Sequence, residues 1–348
     1  MTSRRLLALV SFVLALSIGA VPAWAASSQS VESALAWLRS AQNSDGGFSS
    51  GFSDGSDIGA TADAIVAIAS AGGAPDQWRA ADGSPIDFLR AQAAGITAPG
   101  LAAKVALALI AAGKDPGGFG ETDLTAVIAA GFGPDTGFYG DGPYDSAVAI
   151  LALAQSTGEV RPEAIAGLVR ARQPDGSYAF DGAMVPGSGD SNTTALAVQA
   201  LLIAGSGEQV VPSLAYFRET QNADGGWTYQ KPSAYGEATD SNSTALVIQA
   251  LLAGGQDLAQ WGDPVRALWA LQQPSGALAF NAETPGDNVL ATLQAIPALA
   301  GVDLTDLSRL PASSAAPGPA ATSVLVGAFF LLALVLLLSA IIGKMERA

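Results

Sequence analysis

Gln221-Asn-Ala-Asp-Gly-Gly-Trp227 recurs in this chain as Gln42-Asn-Ser-Asp-Gly-Gly-Phe48, and that recurrence decides the fold. Weaker copies stand at Gln173-Pro-Asp-Gly-Ser-Tyr178 and Gln273-Pro-Ser-Gly-Ala-Leu278. A second motif follows each. Asp190-Ser-Asn-Thr-Thr-Ala-Leu-Ala-Val-Gln-Ala-Leu-Leu202 is nearly repeated by Asp240-Ser-Asn-Ser-Thr-Ala-Leu-Val-Ile-Gln-Ala-Leu-Leu252, and looser versions begin at Asp57, Asp145 and Asp287. From Asp145 onward these aspartates lie 45, 50 and 47 residues apart, and the step from 57 to 145 is two periods of 44. The skipped unit belongs near Pro99-Gly100, where Leu101 opens an apolar run. A fixed period of this length means stacked supersecondary units, none of which buries its apolar face alone.

Each period holds two helical patterns. They fall at 31–42 with 58–72, 85–94 with 100–113, 123–131 with 145–158, 161–173 with 191–205, 211–221 with 241–254, and 264–273 with 288–301. Glycine stands at most helix ends, as C-capping favours, and Pro85 and Pro264 fall in first turns. First helices are amphipathic: Trp37 and Leu38 lie beside Arg39, and Leu168 and Val169 beside Arg170. Second helices are apolar nearly all round, and such a helix is enclosed. Six enclosed and six half-wet helices are met by a closed double ring. An open solenoid would leave a wet face on the second helices. The expected class is therefore all-α: an α/α toroid of six helical hairpins, with an inner and an outer ring of six helices.

The repeat resembles the QW motif of squalene–hopene cyclases: aromatic, aliphatic, three residues, Gln, a short gap, Gly, one residue, aromatic. Tyr216-Phe217, Gln221, Gly225 and Trp227 match it in full, and Trp37-Leu38, Gln42, Gly46 and Phe48 match with Phe for Trp. The chain thus looks like the terpenoid cyclase/prenyltransferase α/α-toroid superfamily over most of 31–300. In that family the motif is structural, so the resemblance assigns Gln42, Gln173 and Gln221 to the fold. The resemblance also frames three functions. Class II cyclases protonate an alkene with an Asp-x-Asp-Asp acid; the nearest stretches here, Asp190-Ser-Asn-Thr193 and Asp240-Ser-Asn-Ser243, lack the middle pair. Those cyclases usually carry a second helical domain, which this length leaves no room for. Protein prenyltransferases hold zinc on Asp, Cys and His. The same toroid forms half of the cobalamin carriers of the intrinsic factor/transcobalamin kind, whose helix starts look similar to Asp190 and Asp240.

Composition removes whole classes of chemistry. The 348 residues are 49% hydrophobic and 14% charged, ample for a large core, with a net charge of −15. So acidic a chain without a basic patch is a poor nucleic-acid binder. It has no cysteine and no histidine, which excludes disulfides, thiolate catalysis and the commonest zinc ligands. No cofactor and no metal are expected; Asp54-Gly-Ser-Asp57 and Asp141-Gly-Pro-Tyr-Asp145 lack the spacing of a calcium loop.

The two ends read as addresses. Arg4 and Arg5, an apolar run and Ala23-Trp24-Ala25 make residues 1–25 a secretory signal peptide. Residues 323–343 are apolar and uncharged, long enough to cross a bilayer. Lys344 and Arg347 put the tail 344–348 on the cytoplasmic side. The expected protein is a toroid ectodomain, 26–309, on a Pro/Ala/Ser linker, 310–322, held outside the cell by one C-terminal transmembrane helix.

In a ring all inner helices begin at one mouth. Asp57, Asp145, Asp190, Asp240 and Asp287 precede those helices. They are N-caps by residue preference, and ligand groups if the mouth binds a small molecule. Gln199, Gln249 and Gln294 sit at matched places two turns in, either as a polar belt or as inter-helix hydrogen bonds. Tyr144 and Tyr235 close rim loops rich in aromatics and amides. The expected function is capture of a small molecule, a corrinoid among the candidates, by a tethered protein with a membrane transporter as partner. The alternatives are a diverged cyclase-like enzyme with an Asp acid and a structural or protein-docking module.

Overall fold

A computed structural model describes residues 23–52, 55–234 and 236–310. Most of the expected signal peptide, Asp54, Tyr235, the expected linker beyond Leu310, the expected span at 323–343 and the tail lie outside the described residues. Among the described residues no helix is long and apolar enough to cross a membrane.

Twelve α-helices alternate between two rings among the described residues. The outer ones are α1 (Ala23–Ala41), α3 (Pro85–Gln92), α5 (Leu124–Ala130), α7 (Pro162–Ala171), α9 (Val211–Thr220) and α11 (Pro264–Ala270). The inner ones are α2 (Ile58–Ser70), α4 (Pro99–Ala111), α6 (Pro143–Ser156), α8 (Ser191–Ile203), α10 (Ser241–Ala253) and α12 (Val289–Leu299). Each inner helix packs on the next, and α12 packs back on α2, so the ring closes. Outer helices lie mainly on the preceding inner helix, with α1 on α12. A short hairpin, β1 (Phe132–Gly133) with β2 (Phe138–Tyr139), and the six 3-10 turns of the described residues are elements the helical periodicity does not predict. Inner helices are buried almost throughout, as their unbroken apolarity requires.

The turn after each outer helix is what fixes the ring. Gln42 Nε2 donates to the Gly46 carbonyl at 2.9 Å and to that of Trp78 at 2.8 Å. Gln221 does the same to Gly225 and Trp261, at 2.8 and 2.6 Å. In the last repeat this role falls to Gln272, which donates to Gly276 at 2.8 Å and to Ser30 at 2.9 Å, fastening repeat six to repeat one. Gln173 is one residue out of register. It stands where Asn43 and Asn222 stand and binds Ala183 O and Ser188 Oγ, while Arg172 reaches the next repeat at the Gln209 carbonyl. The structural assignment of these glutamines holds, but the register expected at 173 and 273 was shifted by one. The motif glycine must be glycine: Gly276 has φ +99°, and a Cβ there would lie 2.3 Å from the Ser33 carbonyl oxygen. Trp227 is fully buried and meets Phe217 edge-on at 6.4 Å.

After α12 the chain crosses beneath the inner ring. Leu304 N–H donates to Gln199 Oε1 and Leu304 O accepts from Gln155 Nε2, both at 2.8 Å. Gln155 Oε1 accepts in turn from the Leu307 N–H at 2.8 Å, and Leu307 is fully buried. This C-terminal strap floors the ring at the inner-helix C-termini.

Candidate binding cavity

The six inner helices surround one cavity of about 70 Å³. α2 contributes Asp63 and Val66, α4 Lys104 and Leu107, α6 Tyr144 and Val148, α8 Leu196, α10 Leu246 and Gln249, and α12 Leu293, Gln294 and Pro297; Leu304 of the strap forms the floor. That is room for a small ligand or several ordered waters.

One wall is polar. Lys104 Nζ lies 2.8 Å from Asp63 Oδ2. Gln294 Nε2 reaches the same oxygen at 3.5 Å, and its Oε1 accepts from Asn242 Nδ2 at 2.8 Å. Burial disfavours the ammonium, but the Asp63 carboxylate, helped by Tyr144 and Asp57, outweighs it and holds Lys104 above the usual lysine range. Burial raises the Tyr144 phenol, against the pull of Lys104. Gln249 is 2% exposed, and its Oε1 has no hydrogen-bond partner. An orphaned buried acceptor costs about 1–3 kcal/mol, and this one is closed off from the cavity as well as from protein donors.

The residues singled out from sequence divide sharply. Tyr144, Gln249 and Gln294 line the cavity. Gln199 is spent on the strap. Asp57, Asp190 and Asp240 cap α2, α8 and α10, each accepting a backbone N–H three residues on at 2.7 Å. Asp145 sits in the first turn of α6 and accepts from Asp141 N–H at 3.1 Å. Asp287 is not a cap; Asn288 caps α12, and Asp287 binds Trp37 Nε1 and Ser275 Oγ. None of the five aspartates lines the cavity. Asp63 and Lys104 were missed because they belong to no repeat. A signal was present all the same: they are the only charged residues in the second turn or deeper of any inner helix.

The loops before the inner helices carry aromatic rings around the mouth. Phe180 stacks on Tyr144 at 5.1 Å. The Tyr229 carbonyl accepts from Ser191 N–H and that of Phe280 from Ser241 N–H, both at 2.8 Å, so each loop caps the neighbouring inner helix.

Burial pushes the carboxyls of Asp190 and Asp240 up to about 6, against the hydrogen bonds they accept. Their folded values exceed the unfolded value of about 3.9. The folded state therefore binds more protons between about pH 4 and pH 6, and stability falls as pH rises through that window. Going from pH 7 to pH 5 is expected to stabilise the protein by about 1 kcal/mol for each group. Unfolding midpoints at the two pH values check this; a midpoint that drops on acidification refutes it.

Together the closed double ring and the central cavity define a terpenoid cyclase-like α/α toroid. Two solved structures of the type II terpene cyclase MstE from Scytonema share it. A single-residue variant in complex with geranylgeranyl dihydroxybenzoate superposes with a TM-score of 0.57 at 16% identity, covering 82% of this chain and 99% of that one. The apo enzyme gives 0.56 at 16%, covering 79% and 97%. A polysaccharide lyase gives 0.57 at 9% identity, covering 80% and 96%. No protein-family model matches the sequence, and no curated protein matches it. At such identities the likeness is one of fold.

Proposed function

We propose that this protein takes a small molecule into the toroid's central cavity through the inner-helix N-terminal mouth and holds it there without chemistry. In this reading the chain is exported behind residues 1–25 and anchored by 323–343. The observation that carries it is the cavity itself, walled by all six inner helices, largely aliphatic but with the Lys104–Asp63 pair and the Gln294 amide on one side. A corrinoid is far larger than that cavity and would have to lie on the rim.

The cyclase-like reading draws on the fold shared with MstE. Against it stands the one cavity carboxylate. Asp63 Oδ2 accepts from Lys104 and Gln294, whereas an alkene-protonating acid must itself carry the proton.

Xenon tests the cavity without assuming a ligand, since apolar cavities bind it. The full chain in lipid nanodiscs is expected to shift the ¹²⁹Xe resonance, and Leu246→Trp, which fills the cavity, to abolish that shift. Equal shifts for both proteins would sink the proposal. A cyclised product from a prenyl substrate would replace it with the enzyme.

A further inference from the structure

We propose a second binding site, on the rim of the mouth and separate from the cavity: three pairs on successive repeats, Phe180-Asp181, Tyr229-Gln230 and Phe280-Asn281, hold an extended, uncharged sugar chain. In each pair the ring stands two residues beyond the buried motif residue, Tyr178, Trp227 or Leu278, and a carboxylate or amide follows it directly. The three rings are 53%, 45% and 40% exposed, whereas Phe48, Tyr178 and Phe217 are fully buried. Backbone contacts place them. A Cβ on Gly142, at the start of α6, would lie 2.6 Å from the Phe180 carbonyl oxygen. The Tyr229 and Phe280 carbonyls cap α8 and α10, and these three inner helices pack in succession. Packed neighbouring helices lie about 8–10 Å apart, so the rings form an arc of about 16–20 Å. No single sugar ring spans that arc; a chain of them does.

The chemistry of the pairs selects a sugar. A pyranose has an apolar C–H face, which packs on an aromatic ring, and hydroxyls around its edge, which pair with planar carboxylates and amides. Each planar group is fixed at one end. Asp181 Oδ1 accepts from Ala183 N–H at 2.9 Å, and Asn281 Oδ1 from Thr284 N–H at 2.8 Å. Gln230 Nε2 donates to the Gly187 carbonyl at 2.6 Å, which also ties the fifth repeat's loop to the fourth's. Asp181 Oδ2, Gln230 Oε1 and Asn281 Nδ2 are left to meet hydroxyls. Asp181 is exposed and the two amides are half-buried, so a ligand reaches them. A rim set before the ligand arrives loses little order on binding. Charge removes the competitors. Across the described parts of 174–190, 222–240 and 274–288 Lys231 is the only cation, and it donates to Asn222 Oδ1 at 2.8 Å. Carboxylates outnumber it, so a polyanion is repelled. A basic peptide is served poorly as well. Asp190, Asp240 and Asp287 already hold N–H and O–H groups of the protein, and two of the three groups beside the rings are uncharged amides.

Calorimetric titration of the full chain in nanodiscs tests the site, with the β-1,4-linked hexamers of glucose, mannose and N-acetylglucosamine as probes. At least one hexamer is expected to bind, and its single sugar far more weakly. Tyr229→Ala should weaken that hexamer about two- to tenfold, the worth of one ring contact. The triple variant Phe180→Ala, Tyr229→Ala, Phe280→Ala should abolish binding. The helix caps are made by main-chain carbonyls, which these substitutions keep. Phe52→Ala removes an exposed ring outside the arc and should bind as the parent does. Leu246→Trp should also bind as the parent does, so the rim and the cavity stand or fall separately. If none of the three hexamers binds, or if a single sugar or the triple variant binds as well as hexamer and parent, the proposal is wrong. A galacturonate hexamer that binds as tightly as the neutral ones overturns the charge argument and the assignment with it. A hexa-arginine peptide that binds more tightly than every sugar makes the rim a protein-docking surface instead. The comparison of probes on the parent protein needs no variant, so a triple variant that failed to fold would not shelter the proposal.

Discussion

Gly276→Ala is expected to destabilise the protein by about 4 kcal/mol and to loosen the seam where repeat six meets repeat one. The glycine has φ +99°, which costs a residue with a Cβ roughly 1–3 kcal/mol. Its Cβ would sit 2.3 Å from the Ser33 carbonyl oxygen, a backbone atom of α1 that cannot swing aside. Overpacking of that kind adds about 1–3 kcal/mol. Gly301→Ala separates the two causes: there φ is +72°, but a Cβ meets nothing within 4 Å. Its cost should be the conformational part alone, about 1–2 kcal/mol. Chemical denaturation of both variants reads the difference. Equal losses at the two sites would mean that the close approach across the seam contributes nothing.

Lys104→Met should cost about 3 kcal/mol, because it leaves the Asp63 carboxylate in a largely aliphatic cavity with only the long 3.5 Å contact from Gln294. The two side chains are 28% and 17% exposed, too little for water to replace the lost partner. Breaking such a pair from one side typically costs about 3–5 kcal/mol, and replacing both members by apolar groups is often neutral. The double variant Lys104→Met with Asp63→Leu is therefore expected to recover most of the loss. Measured as a double-mutant cycle, the coupling should exceed 1 kcal/mol. A single variant as stable as the parent would show that the pair is as wet as a surface salt bridge, and the cavity with it.

The helices were legible because their two periodicities are carried by many residues at once. All twelve fall within a few residues of where apolar spacing, glycine ends and first-turn prolines put them, α1 excepted; it begins at Ala23, eight residues before the expected start. Ring closure was legible from the contrast between half-wet and fully apolar helices. Single-residue register was not. Gln272 and Gln273 are adjacent and chemically identical, and only the backbone they must reach, Ser30 and Gly276, chooses between them. Asp287 and Asn288 pose the same problem, since both residue types cap helices well. The cavity was half legible. Matched glutamines pointed inward, but their partners differ: Gln199 was claimed by a strap beyond the last repeat, which no self-comparison can show. Asp63 and Lys104 escaped because repetition was the guide, and a site in a repeat protein lies where the repeats stop agreeing.

The strap also decides how the molecule bears load. A pull applied at Leu310 would act on the cavity floor, at the rim opposite the mouth. Such a pull would meet three hydrogen bonds, from Gln155 and Gln199 to Leu304 and Leu307, and the packing of the buried Leu307 turn on α4. A tug at that point would therefore test the base of the cup before its walls, which close on one another all the way round.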